Sequence, residues 1–212
     1  MQRGLATYGG AARQGAASLA EEEVRRDVVA GVPQDWECGL GLAGDFGGFK
    51  AGAAHAKNLA KKYGLKLKRS IAMGHSAGSH LALHLGAEVP WVAGVSSLAG
   101  VADLRRAEES KLSWNVGRKF LGGTPEEYPE RYKLASPIER VPLGKPTVPI
   151  HGEKDTVVPV QIARRYEAAA KTAGDKAKLV TLAEATHFDL IEPASAHWAA
   201  VERSVLEMLQ IS

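Results

Sequence analysis

Ser70-Ile71-Ala72-Met73-Gly74-His75-Ser76-Ala77-Gly78-Ser79-His80-Leu81-Ala82-Leu83-His84-Leu85-Gly86-Ala87 is the stretch that decides how this chain folds. A strand-like apolar run over 69–74 enters the pentapeptide Gly74-His75-Ser76-Ala77-Gly78, and an Ala/Leu-rich helical run over 77–87 leaves it. A G-x-S-x-G pattern in that context predicts a sharp strand-to-helix turn with a strained serine at its apex. Glycine on both sides leaves room for the backbone to fold back so tightly. The turn lifts the Ser76 hydroxyl above the end of a sheet, and the Ala77 N–H then lies at a helix N-terminus, where it can receive negative charge.

A serine hydroxyl is a weak nucleophile without a base, and the base needs a carboxylate to hold its tautomer and orientation. Pro149-Ile150-His151-Gly152-Glu153-Lys154-Asp155-Thr156-Val157-Val158-Pro159 reads as a strand running into a polar loop, with Asp155 as a strand-end carboxylate. Lys178-Leu179-Val180-Thr181-Leu182 reads as another strand, followed by a loop carrying His187. The expected set is therefore Ser76, Asp155 and His187, in that chain order, with Asp189 and Asp103 as other candidates for the acid. His75 is expected to pack beside the nucleophile, and His151 to be hydrogen-bonded at a buried strand end. His55 and His197 fall on helix patterns. His80 and His84 share an i, i+4 helix face, but no H-E-x-x-H signature accompanies them, so no metal site is expected.

Other segments complete the pattern: Lys62-Tyr63-Gly64-Leu65 before the serine strand, Phe120-Leu121-Gly122-Gly123-Thr124-Pro125-Glu126-Glu127, the H-G-x-x-D-x-x-V-P run from His151 to Pro159, and Thr186-His187-Phe188. Over residues 59–210 the chain resembles the α/β-hydrolases of the small esterase/lipase type, similar to the kynurenine-formamidase-like and prolyl-oligopeptidase-like hydrolases. The Ser, Asp, His order is the order of that superfamily. The resemblance implies acyl transfer through an acyl-serine intermediate with no metal or organic cofactor. It also implies two N–H donors for the oxyanion: Ala77, and Gly10 or Ala11 in Tyr8-Gly9-Gly10-Ala11-Ala12, which is similar to the family's His-Gly-Gly loop with Tyr8 in place of the histidine. The expected activity is a serine carboxylesterase acting on small, mainly apolar esters. An amidase or arylformamidase using the same triad, and an inactive hydrolase-derived binding protein, are the alternatives.

The N-terminal third departs from the family. The oxyanion-like loop begins a few residues after Met1, so the family's first strands are expected to be shortened or missing. Gly31-Val32-Pro33-Gln34-Asp35-Trp36-Glu37-Cys38-Gly39-Leu40 holds Pro, Asp, Glu and Gly, all depleted in strands. Gly44-Asp45-Phe46-Gly47-Gly48-Phe49 then resembles the family's Gly/aromatic loop ahead of the next helix. A truncated or frame-altered coding segment upstream of residue 44 would account for this pattern.

The 212 residues are 45% hydrophobic, enough for one domain over 1–212 with a core that buries roughly 70% of the unfolded surface. Apolar strands alternating with helical segments predict an α/β fold, a mostly parallel sheet with helices on both faces. The expected helices are 51–63, 77–87, 160–173 and 194–210, and the expected strands 69–74, 91–98, 146–151 and 177–183. Residues 99–145 sit where this fold inserts a cap over its cleft. Trp114 and Phe120 there, with Phe188, are expected to line an acyl or aryl pocket. A single cysteine, Cys38, excludes an intramolecular disulfide. Neither a signal peptide nor a long apolar run is evident, so the expected location is cytoplasmic, away from membranes. A net charge of +3 is too mild to imply nucleic acid, and the Lys57 to Arg69 basic stretch reads as a solvated helix end. The expected partner is a small-molecule ester, and a homodimer across the shortened sheet is an arrangement the sequence allows.

Overall fold

Five strands among the described residues run parallel in the order in which the chain makes them: β1 (Val28–Val32), β2 (Ser70–His75), β3 (Gly94–Leu98), β4 (Thr147–Gly152) and β5 (Val180–Leu182). The computed structural model describes residues 28–32, 41–110 and 116–209. Between the strands lie α1 (Gly41–Tyr63), α2 (Ala77–Glu88), α3 (Leu104–Glu109), α4 (Val116–Leu121), α5 (Pro129–Ala135) and α6 (Gln161–Thr172), and α7 (Trp198–Leu209) follows β5. Parallel strands need covered crossovers, and right-handed connections stepping one way along a sheet place successive helices on one face. The last helix is then left to cover the other.

The side chains sort accordingly. From β2 and β3, Ala72 and Val95 join Ala53 of α1, Ala82, Leu83 and Leu85 of α2, and Ile162, Tyr166 and Ala170 of α6 in one cluster. On the opposite face Ile71, Leu98 and Ile150 pack with Trp198, Val201, Val205 and Leu209 of α7, with Met73 and Val148 at its border. Period-two alternation explains the split, because Ile71 and Met73 point one way and Ala72 the other. A buried Ile or Leu contributes roughly 1.5–3 kcal/mol, so these two layers supply most of the driving force. A third cluster of Leu104, Phe120, Leu121, Tyr132 and Ala135 holds α3, α4 and α5 together. Nε2 of His80 and of His84 each lie 2.7 Å from the Ala135 carbonyl, which ties that cluster to α2.

Two features of the N-terminal third differ from the sequence expectation. A strand does form there, but just upstream of most of the Pro- and Asp-containing stretch, over Val28-Val29-Ala30-Gly31-Val32, whose valines suit a parallel ladder. The Gly44–Phe49 segment is not a loop. Helix α1 runs through it from Gly41, since an interior glycine costs only about 1 kcal/mol relative to alanine and does not by itself end a helix. Elsewhere the elements fall within a few residues of the expected bounds. Pro149, which has no N–H to give, sits inside β4 one residue before pairing with β5 begins at Ile150.

The junction of β2 and α2 is the tightest place in the fold. Ser76 has φ 54° and ψ −119°, a backbone conformation that L-residues avoid. A Cβ at Gly74 would overlap the carbonyl of Gly78, so only glycine lets strand and helix cross here. The turn is held by the Ser76 N–H, which donates to the Leu98 carbonyl at 2.8 Å, and by the Ser79 N–H, which donates to the Ser76 carbonyl at 3.1 Å. A second close crossing lies at Gly152, where a Cβ would overlap the Ala185 carbonyl. It brings the loop after β4 against the loop after β5, and the Lys154 N–H donates to Ala185 O at 3.0 Å.

Ser76→Gly relieves a strain of about 1–3 kcal/mol and is expected to raise the urea midpoint, whereas Ser76→Ala keeps the strained backbone and leaves the midpoint nearly unchanged. Gly74→Ala is expected to lower the midpoint sharply or to prevent folding, because backbone must move to admit the methyl group. Stability also depends on pH through His80. Burial first, and the neighbouring His84 second, lower its pKa from 6.5 to about 3. The unfolded chain therefore takes up a proton below pH 6.5 that the fold refuses, and stability falls as pH drops from 6.5 towards 3, by up to about 1.4 kcal/mol per pH unit. Urea titrations at pH 7 and pH 5 are expected to show the lower midpoint at pH 5, with a smaller difference in His80→Gln.

Candidate active site

Ser76 stands at the carboxyl end of β2 as the N-cap of α2, yet its side chain makes no capping hydrogen bond. A serine at this position usually caps with its hydroxyl; here the backbone takes a positive φ and the residue is half-buried. Ala77 opens the helix, so its N–H is one of the donors a helix leaves without an intrahelical partner.

At the carboxyl ends of β4 and β5 the structure brings Asp155 and His187 together. His187 Nδ1 donates to Asp155 Oδ2 at 2.8 Å, and the two side chains are 3% and 0% exposed. The other carboxylate oxygen, Oδ1, accepts the Val157 and Val158 N–H groups at 2.8 Å each. His151 Nε2 donates to the Val158 carbonyl at 2.8 Å and lies 3.3 Å from Asp155 Oδ2. Burial alone would raise the carboxyl's pKa. The hydrogen bonds from His151, His187 and the Val158 N–H outweigh that and hold it well below the usual carboxylate range. The pair is therefore an ionised carboxylate holding a histidine in the Nδ1–H tautomer, which leaves Nε2 as the nitrogen able to take a proton.

The loop carrying His187 reaches the serine turn through His75. The His75 and His187 rings are 4.4 Å apart and tilted by 53°, and His75 Nε2 lies 2.8 Å from the His187 carbonyl. Burial first, then the proximity of His187, lower the His75 pKa to about 4. Phe188 stands edge-on to His187 with ring centroids 5.0 Å apart, and at 56% exposure it is among the most exposed large apolar side chains of the described residues.

The other sequence candidates take different places. Phe120 is 6% exposed inside the α3–α5 cluster, edge-on to His80, so its ring is taken up by core packing rather than presented to solvent. Trp114, Gly10, Ala11 and Cys38 lie outside the described residues. Asp189 accepts from the Thr186 N–H at 2.7 Å, from the Thr186 hydroxyl at 2.5 Å and from Ser195 at 3.3 Å, so it shapes the His187 loop from within. Asp103 caps α3 through the Arg106 N–H and pairs with Arg165 at 3.1 Å. His55 is exposed and His197 half-buried. Two contacts stand outside the sequence expectation: the bond from His75 to the His187 backbone and the approach of His151 to Asp155. A signal for the second was present in the i, i+4 spacing of His151 and Asp155, and for the first in the alternation 71, 73, 75 that turns His75 to the face under the His187 loop. Among the described residues no helix is long and apolar enough to cross a membrane.

Comparison with known proteins agrees with the fold. The BD-FAE family model matches residues 49–169, more than half of the chain. An uncharacterized peptidase, YtmA, of Bacillus subtilis (strain 168) is 31% identical over 90 residues; that match covers 42% of this chain and 34% of the relative, so the chain spans about a third of it. Among solved structures, a truncated carbohydrate esterase from gut microbiota superposes with a TM-score of 0.70 at 20% identity, over 80% of this chain and 70% of that one. A puromycin hydrolase superposes with a TM-score of 0.60 at 22% identity, over 76% of this chain but only 25% of that one. Strand order, the serine turn and the family match converge: the chain belongs to the BD-FAE family, within the α/β-hydrolase superfamily.

Proposed function

We propose that the chain is a serine carboxylesterase that hydrolyses small, mainly apolar carboxylic esters. The observation that carries this reading is the buried Asp155–His187 hydrogen bond at 2.8 Å, with the His187 ring 4.4 Å from that of His75, the residue before the strained, non-capping Ser76. Ser76 Oγ attacks the ester carbonyl while His187 Nε2 takes its proton, and the ionised Asp155 stabilises the imidazolium. The tetrahedral intermediate collapses as His187 returns the proton to the leaving alcohol, giving an acyl-serine. Water, deprotonated by the same nitrogen, then releases the acid. The Ala77 N–H at the start of α2 receives the oxyanion, with Gly10 or Ala11 as the second donor, and removing one such donor typically costs about 10²–10³ in rate. The exposed Phe188 ring beside His187 offers an apolar surface for the acyl or aryl group of the substrate.

The carbohydrate esterase neighbour favours an ester, and an alcohol leaves more readily than an amine. The peptidase relative and the puromycin hydrolase neighbour favour a second reading, amide hydrolysis by the same triad. Parallel assays with p-nitrophenyl acetate, butyrate and octanoate and with an aminoacyl p-nitroanilide separate the two. Ester turnover is expected to exceed anilide turnover and to vanish in Ser76→Ala together with fluorophosphonate labelling; ester turnover equal in both proteins would remove the proposal. Asp155→Asn presents His187 in the wrong tautomer and is expected to lower kcat by about 10⁴-fold with little change in KM. Because the Asp155 carboxyl is held below its ordinary range, the stability it contributes is present at and above pH 4 and is lost as pH falls further. In Asp155→Asn the urea midpoint is expected to lose that part of its acid dependence.

A further inference from the structure

We propose that His75 is a positioning residue for His187, fixing the base relative to Ser76 by donating its Nε2–H to the His187 carbonyl and by laying its ring against the His187 imidazole. This inference rests on the reading of Ser76, Asp155 and His187 as a triad.

The placement follows from strand geometry. Ile71 and Met73 of β2 face the layer under α7, and His75 continues that alternation. Ser76, one residue on, leaves the strand by its positive φ. Adjacent residues thus part at the turn: Ser76 enters the helix, and His75 reaches the loop after β5. The 2.8 Å bond from His75 spans 112 residues and joins the strand that carries the nucleophile to the backbone of the base. The base is then held at two points, its Nδ1 by Asp155 and its carbonyl by His75.

Bond chemistry fixes the state of His75. A carbonyl only accepts, so Nε2 carries the hydrogen. Nδ1 is buried and has no hydrogen-bond partner among the described residues, so there it bears a bare lone pair, and protonating it would leave a buried donor unsatisfied. The titratable groups facing the ring are His187, Asp155 and His151. A neutral ring at 4.4 Å does not oppose the positive charge His187 acquires when it takes the serine proton, whereas a cation there would. A bond of this kind is worth only about 1 kcal/mol in stability, but a misplacement of about 1 Å at a reacting group can cost 10²-fold in rate. Its larger effect is therefore on kcat.

The test compares wild type, His75→Leu and His75→Gln, the glutamine amide replacing the Nε2–H donor without the ring. His75→Leu is expected to lower kcat by up to about 10²-fold with KM little changed and with the acid limb of the kcat/KM profile displaced, and His75→Gln to recover most of the lost kcat. A folded His75→Leu with wild-type kcat and pH profile overturns the proposal, as does a loss confined to KM. Imidazole ¹⁵N NMR of the wild type provides a readout independent of turnover and of whether the variants fold: His75 is expected to hold the neutral Nε2–H tautomer without titrating between about pH 8 and 5.5. Titration near the ordinary value of 6.5 overturns it. Wild-type turnover that does not depend on Ser76 would instead sink the triad reading. Even then, His187 titrating identically in wild type and His75→Leu would overturn the His75 inference, and a displaced His187 titration would support it.

Discussion

The crossing of two backbones at Gly74 and Gly78 is the constraint on which the rest of the site depends. Strand β2 can hand over to helix α2 at Ser76 only because Gly74 presents no Cβ to the Gly78 carbonyl, and Ser76 on the turn takes a positive φ. That single distortion withdraws the Ser76 hydroxyl from its usual capping role and places the first N–H of α2 beside it. A strain of about 1–3 kcal/mol persists because the surrounding structure over-determines it: the Ser76 N–H is held by β3, and α2 is buried along most of its length.

A buried negative charge is the second element, and it is stable only because every oxygen is satisfied. Asp155 is shielded from solvent, yet two backbone N–H groups and two histidines surround its carboxylate. Removing water from an ion costs several kcal/mol unless hydrogen bonds replace it. The loops after β4 and β5 can supply them because Gly152 lets the Ala185 carbonyl approach, so the same lack of a side chain that permits the serine turn also permits the meeting of Asp155 and His187. Around this charge the histidines are mostly buried and committed: His75 to a loop backbone, His151 to Val158, His80 and His84 to Ala135. In each case the acceptor is a carbonyl, which suits a neutral imidazole.

Much of this was legible in the residues. The G-x-S-x-G pentapeptide announced the turn because the backbone crossing admits only glycine at position 74. Asp155 and His187 could be named because each follows an apolar run that reads as a strand, and a parallel sheet collects its strand ends on one edge. Their partners were less visible. His75 pairs with a residue 112 positions away through a bond to the main chain, which leaves no mark in residue type. Phe120 looked like a pocket residue because an aromatic beside glycines does not disclose which way its helix faces, and packing against Leu104, Leu121 and Tyr132 turned it inward. The helix through Gly44 to Phe49 was obscured for a related reason, since intrinsic propensity is a weak force over a 23-residue helix.

The sequence by itself determined the alternation of strands and helices, the strained serine and the order of the three residues whose side chains carry the proposed chemistry. These are local matters, decided by period, by glycine and by the few residue types able to move a proton. Only the tertiary structure decided that Asp155 rather than Asp189 or Asp103 meets His187, that His151 lies against the carboxylate and that His75 bonds to the His187 backbone. Those choices depend on which loops the parallel register brings within 3 Å of one another, and that distance is set by the packing of both faces of the sheet rather than by any one segment of the chain.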